Sequence, residues 1–137
     1  SPPKSPEPVK HMTATWPNMA AWVTLSAMPN NPRWLDLVRH HVRGFRAPYL
    51  LVLQHHDIPA STRLVAPVTP PLPGDADVLA PIVRISGQEH RVRLLDISAV
   101  PLRYLSETVE TVADAADAIL GGLDIILHGY PAGRARR

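Results

Sequence analysis

Two apolar, strand-like segments followed by one amphipathic helix limit what this chain can fold into. The first segment covers residues 46–68 and the second residues 81–101. Within the first, the run YLLVLQH (49–55) is apolar on both faces, which predicts a central strand of a sheet. In the second, the SGQE turn (86–89) between two apolar runs predicts a tight hairpin. Short strands at intervals of about eight to twelve residues favour a small antiparallel sheet or open barrel.

Further strand signals flank the central run. Residues 35–42 alternate imperfectly between apolar and polar, which is compatible with a partly buried strand that forms a hairpin with 49–55. Residues 62–68 offer another β-branched run, in which Pro67 should lie at an end or edge because proline cannot donate to a strand ladder. The Pro-rich stretch 70–77 is expected to be a loop.

The last segment predicts a helix with one buried face. From Thr111 to His128, apolar residues recur every three or four positions, whereas aspartates occupy other positions. Gly121 and Gly122 interrupt this helix, which predicts close approach by another backbone. The same helix of a second copy is one such neighbour.

Composition sets the outer limits. With 137 residues, 15.0 kDa and 45% hydrophobic residues, the chain can build one modest core. The absence of cysteine excludes a disulfide scaffold, a thiol nucleophile and a thiolate zinc site. A formal charge of +2 is too small to indicate nucleic-acid binding. No apolar run approaches the roughly 18 residues of a membrane span and no signal peptide is recognisable, so a cytoplasmic protein is expected.

These patterns divide the chain into four parts. Residues 1–11 are Pro-rich, and the dipeptide His11–Met12 at their end is typical of a cloning junction, which predicts a disordered lead of vector origin. Residues 12–34 carry Trp16, Trp22 and Trp34 among prolines and form an extension that should dock on the body of the protein or on a neighbour. Residues 35–130 are the predicted domain. Residues 131–137 are a basic tail, expected to be solvated.

The order of these features resembles the CcdB family of toxins. The resemblance rests on RAPYLL followed by Gln54 and Asp57, the RLVAPV strand, LLDIS, Val100 with Pro101, and the terminal helix. It implies a mainly β, α+β fold: a CcdB/Kid-like SH3-type antiparallel barrel with a small extra sheet and one C-terminal helix. It also implies a homodimeric toxin of a type II toxin–antitoxin system, without enzymatic activity or cofactor, that binds the DNA gyrase A subunit dimer and traps the cleaved DNA complex. A cognate CcdA-like antitoxin would neutralise it and link it to DNA.

The resemblance also places the functional residues. The gyrase-binding positions correspond to His128, Gly129 and Tyr130, where a flat ring at an exposed helix end can stack on an arginine of the target. The dimer interface is expected at Leu123, Ile126, Leu127 and Tyr130. Two features depart from the family pattern, because His128 stands where tryptophan is usual and the chain continues through residues 131–137.

Alternative functions have weaker support. A MazF/Kid-like ribonuclease toxin would need a polar cluster, for which Arg43, Arg46 and Asp57 are the available residues, but no general base is evident. A non-toxic protein-binding module with the CcdB fold is a further possibility.

A metal site is not expected. Neighbouring strand residues point to opposite faces, so the pairs His40–His41 and His55–His56 could give at most two ligands, such as His40 with His55. We therefore predict no metal and no catalytic residue.

Overall fold

Within the described part of the chain, the strands lie between residues 36 and 111, and an α-helix follows them. The computed structural model describes residues 31–129. Most of the extension 12–34, the lead 1–11, Tyr130 and the tail 131–137 therefore lie outside the described residues. The strands are β1 (Asp36–His40), β2 (Tyr49–Val52), β3 (Thr62–Thr69), β4 (Ile82–Ile85), β5 (Gln88–Val92), β6 (Ser98–Pro101) and β7 (Leu105–Thr111). The helix α1 spans Ala116–His128.

One antiparallel sheet contains the seven strands of the described residues. Its order is β4-β5-β3-β2-β1-β7, and β6 pairs with β3 beside this path. The sheet curls into a half-barrel, with α1 as its C-terminal helix. The predicted fold class is thus confirmed. The hairpin prediction is also confirmed, because Ser86 and Gly87 connect β4 to β5 with positive φ angles of 53° and 79°, as a tight two-residue turn requires.

The central strand β2 is buried on both faces, as its composition predicted. Leu51 belongs to an apolar cluster between the sheet and α1 that also holds Leu37 and Ile119. Leu50 and Val52 point the other way, into a second cluster that Leu102 and Leu105 help to form. The alternation along β2 therefore joins the two halves of the core.

Pro67 lies inside a central strand and not at an edge of the sheet. β3 pairs with β2 along one side, while its other side changes partner from β6 at residues 62–65 to β5 at residues 68–69. The N–H and C=O of one strand residue point to the same side of the strand. The Pro67 carbonyl accepts the Arg93 N–H on that second side, so the N–H that proline lacks would also point to it. The change of partner strand leaves no ladder bond for Pro67 to break, which is why the proline is tolerated.

The helix begins later than the sequence pattern indicated. Residues up to Thr111 belong to β7, and Ala113–Ala115 form a 3₁₀ turn before α1. The buried face contains Ile119 and Gly122. A Cβ on Gly122 would lie 2.5 Å from both the Val78 carbonyl oxygen and Leu94 Cδ1. The predicted close approach thus occurs within the same chain for Gly122, whereas a Cβ on Gly121 would meet nothing within 4 Å.

An ion pair fastens the Pro-rich loop to the sheet. The Arg93 guanidinium donates to both carboxylate oxygens of Asp75, and its Nε donates to Thr69 Oγ1 at 2.9 Å. The bond from Arg93, with a second from the Leu72 N–H, lowers the pKa of Asp75 below its ordinary value. The folded state therefore binds a proton at Asp75 less readily than the unfolded chain does.

This pair predicts an acid-dependent loss of stability. A carboxyl group whose pKa is lower in the folded state stabilises the fold at pH values above its pKa in the unfolded chain. That stabilisation disappears as the pH falls through the folded-state pKa. We expect the free energy of unfolding to decrease less between about pH 5 and about pH 3 in Asp75→Asn than in the natural chain. Urea unfolding at several pH values measures this, with Asp96→Asn, an exposed aspartate, as the control. Equal slopes in all three proteins would contradict the prediction.

Candidate functional site

The last turn of α1 presents a ring that one contact holds in place. We call residues 124–129 the helix end. The His128 side chain is 69% exposed, and its Nε2 lies 2.7 Å from Asp124 Oδ1, one turn earlier. Gly129 ends the helix with φ of 72°, and its N–H donates to the Ile125 carbonyl at 2.7 Å. A residue with a Cβ adopts that φ only at a cost, so glycine suits this exit from the helix.

The predicted dimer residues divide into two groups. Leu123 and Ile126 are partly buried and pack against the core beneath α1. Leu127 is 76% exposed and Leu120 is 47% exposed. Because residues seven apart lie on the same side of a helix, these two leucines form one exposed apolar stripe, which we call the leucine stripe. Tyr130, the remaining predicted interface residue, lies outside the described residues.

The histidines mostly serve local structure. His40 Nε2 donates to the Ala47 carbonyl at 2.7 Å, and its Nδ1 accepts the Val42 N–H at 3.0 Å. Both nitrogens thus hold the β1–β2 loop. Since Leu37 pairs with Leu51, His40 lies at one end of the β1–β2 hairpin and His55 follows the other end. The structure does not bring His40 and His55 together.

A second histidine group holds the start of the described chain. Potential ligand atoms of His55, His56 and Asp57 lie within 4.8 Å of one another. However, Arg33 Nη2 lies 2.7 Å from His56 Nε2, and the Trp34 N–H lies 3.3 Å from Nδ1. Burial, with the nearby Arg33 charge, lowers the pKa of His56. The His56 nitrogens face two N–H donors, one of which belongs to the Arg33 cation, so His56 is a poor metal ligand and instead fastens residues 33–34 to the β2–β3 loop.

The polar residues considered for RNA cleavage are separated. Arg43 and Arg46 lie in the β1–β2 loop, before β2, and Asp57 lies in the β2–β3 loop, after it. Arg46 borders a groove of about 480 Å³ together with Thr69 and Ser98, on the side away from Asp57. The structure therefore does not assemble the predicted cluster.

Sequence reasoning missed two interactions that shape these sites. The Asp124–His128 contact could have been found from the spacing of four residues on a helix. The contact between Arg33 and His56 joins residues 23 apart and had no comparable local signal.

Comparison with known proteins assigns the family. A family model described as CcdB protein matches residues 38–129, which include every strand after the start of β1 and all of α1. This chain belongs to the CcdB family. It is therefore a toxin of the toxin–antitoxin class. None of the curated proteins matches this CcdB-family sequence.

Solved structures with the same fold are distant in sequence. Two crystal structures of MazE–MazF from Deinococcus radiodurans, forms II and I, give TM-scores of 0.59 and 0.57 at 20% and 19% identity. They cover 72% and 73% of this CcdB-family chain, and 97% and 98% of their own chains. An Mtb toxin gives a TM-score of 0.52 at 15% identity, covering 69% of this chain and 99% of its own. Similarity at this level of identity shows the fold alone.

No helix within residues 31–129 is both long enough and apolar enough to span a membrane.

Proposed function

We propose that this CcdB-family toxin poisons DNA gyrase. As a homodimer in the cytoplasm, it binds the dimer of the gyrase A subunit through its helix ends and traps the enzyme while the DNA is cleaved. The observation that carries this proposal is the exposed His128 ring at the end of α1, within the segment that matches the family. The toxin itself makes and breaks no bond.

The geometry of the helix end suits docking. The contact with Asp124 restricts the imidazole, so less side-chain entropy is lost when the ring meets a partner. A ring face that is open to solvent can stack on an arginine of the target, although imidazole offers less area than indole. Gly129 supplies the positive φ with which the helix ends, and Tyr130 is the second proposed contact.

The leucine stripe supports a dimer. Two large apolar side chains exposed on one side of a helix are well explained if a second copy of α1 covers them. Pairing through α1 would place two helix ends side by side, which suits a two-fold symmetric target. Leu123, Ile126 and Tyr130 complete the proposed interface.

A cognate antitoxin is the remaining partner. The Deinococcus structures with this fold were determined as MazE–MazF, which supports an antitoxin partner for the present chain. We propose that a CcdA-like antitoxin binds the toxin and that DNA is contacted only through it. The separation of Arg46 from Asp57 makes the ribonuclease alternative less favourable.

Purified gyrase and supercoiled plasmid test this function. The toxin should produce linear DNA after denaturation of trapped complexes, and His128→Ala should need about tenfold more protein for the same yield, the effect of losing a stacking contact of about 1.4 kcal/mol. His90→Ala, a histidine on the β4–β5 hairpin, is the control. Undiminished trapping by His128→Ala would refute the assigned contact. Absence of trapping together with RNA decay in cells would favour the ribonuclease.

A further inference from the structure

The half-barrel leaves a groove between its two outer strands. Among residues 31–129, β4 pairs only with β5, and β7 pairs only with β1. The turn after β4 contacts a side chain of β7, where the Ser86 N–H lies 3.4 Å from Glu110 Oε1. A cavity of about 690 Å³, within the size range of ligand-binding clefts, is lined by residues of both strands. We call this cavity the edge groove; it is lined by residues 82–84 and 110–115 and by Ala118.

The backbone of both walls is directed into the edge groove. Val83 and Ile85 pair with β5 next to a two-residue turn, and the Pro81 carbonyl accepts the Val92 N–H. In an antiparallel ladder the intervening residues point the other way, so the N–H and C=O groups of Ile82 and Arg84 face the groove. On the opposite wall, Glu110 pairs with Leu37 and the Val112 N–H donates to Leu35. The backbone groups of Thr111 between them therefore also face the groove.

Such walls select an extended peptide. Exposed edges of this kind bind another strand through backbone hydrogen bonds, a mode known as strand addition. Side chains of an added strand would point alternately inward and outward. The inward side chains would meet small apolar surfaces, which belong to Val83, Val112, Ala115 and Ala118. The outward side chains would meet a rim that carries two negative charges, Glu110 and Asp114, and one positive charge, Arg84. An excess of negative charge favours basic side chains at the outward positions.

We propose that the edge groove binds one extended peptide strand with alternating small apolar and basic side chains, adding it to the open sheet between β4 and β7. This inference rests on the proposed function for the source of the strand, which is a segment of the antitoxin.

Three fluorescein-labelled peptides test the groove with the full chain. The first alternates lysine and valine over six residues, the second is the same peptide with its valine amides N-methylated, and the third alternates glutamate and valine. Fluorescence polarisation should show saturable binding of the first and at least tenfold weaker binding of the other two. Failure of the full chain to bind the first peptide, or equal binding of all three, would overturn the proposal.

Substitutions on β4 separate strand addition from charge. Arg84→Pro removes an N–H that faces the groove and that β5 does not use, and proline is tolerated at such a position in an edge strand. It should weaken the first peptide about tenfold, whereas Arg84→Ala, which keeps the N–H, should bind at least as well as the natural chain. Ala118→Arg, at an exposed helix position, should also weaken binding by filling the groove. Unchanged binding to both Arg84→Pro and Ala118→Arg would be evidence against the groove.

The gyrase assay distinguishes failure of this inference from failure of the proposed function. Arg84→Pro should still trap cleaved DNA, because the edge groove is remote from the helix end. Trapping without peptide binding would refute only the groove, and peptide binding without trapping would refute only the gyrase assignment. Circular dichroism and thermal unfolding identify any variant that has lost the fold.

Discussion

Leu127→Asp should convert the proposed toxin dimer into a monomer and abolish growth arrest. Leu127 is the most exposed large hydrophobic residue of the leucine stripe. A carboxylate buried there against a second apolar helix would lose its hydration without gaining a partner, which should weaken the dimer by about 3 kcal/mol or more, over a hundredfold. Sedimentation equilibrium measures the change, and the growth of expressing cells reports its effect on activity.

Ile58→Asp is the matched control for that experiment. Ile58 is an exposed apolar residue of similar size in the β2–β3 loop, away from α1. Aspartate at that position should leave both the dimer and the toxicity intact. A Leu127→Asp protein that stays dimeric would show that the leucine stripe is not the interface, whatever its toxicity.

Gly122→Ala should destabilise the fold although it raises helix propensity. The new Cβ would lie 2.5 Å from the Val78 carbonyl oxygen and from Leu94 Cδ1. Leu94 can rotate, but the carbonyl belongs to the backbone and α1 must move away from it. Overpacking costs about 1–3 kcal/mol, and a clash with backbone belongs at the upper end of that range. The gain of about 1 kcal/mol in helix propensity therefore offsets only part of the cost. Urea unfolding should show a lower midpoint with an unchanged slope.

Gly121→Ala should instead stabilise the fold of the monomer. A Cβ on Gly121 would meet nothing within 4 Å, so the substitution should stabilise α1 by about 1 kcal/mol. The pair therefore compares two adjacent glycines of one helix with different surroundings. Equal effects of both substitutions would show that contact with Val78 is not what requires glycine at position 122.

The sequence predicted most strands because their signals are local. The run at β2 and the Ser86–Gly87 turn each depend on a few adjacent residues, and both are confirmed. The predicted start of α1 was wrong because Val112, which fitted the apolar pattern of the helix, contacts the core from the residue after β7. Leu35 is a further case, since its φ of 67° is unusual for a residue with a bulky side chain. Its N–H bonds to Val52 and its carbonyl to Val112, two partners that only the tertiary structure supplies.

The candidate site was predictable only in part. The family resemblance placed His128 and Gly129 at the end of the helix, where the structure has them. Their role as gyrase contacts stays a prediction. The separation of Arg46 from Asp57 could not be seen in the sequence, because it depends on the direction in which β2 crosses the sheet. The edge groove likewise has no local signal, since its walls come from β4 and β7.

The pairing of β1 with β7 sets a late step in assembly. Asp36 at the start of β1 accepts a hydrogen bond from the Thr111 hydroxyl at 2.9 Å, across 75 positions of the chain. During synthesis, β1 can pair with β2 early, but its other side must wait until β7 has left the ribosome. Long-range closures of this kind make β-rich domains slow to fold. We therefore expect nascent toxin to remain inactive until β7 has been translated and has left the ribosome.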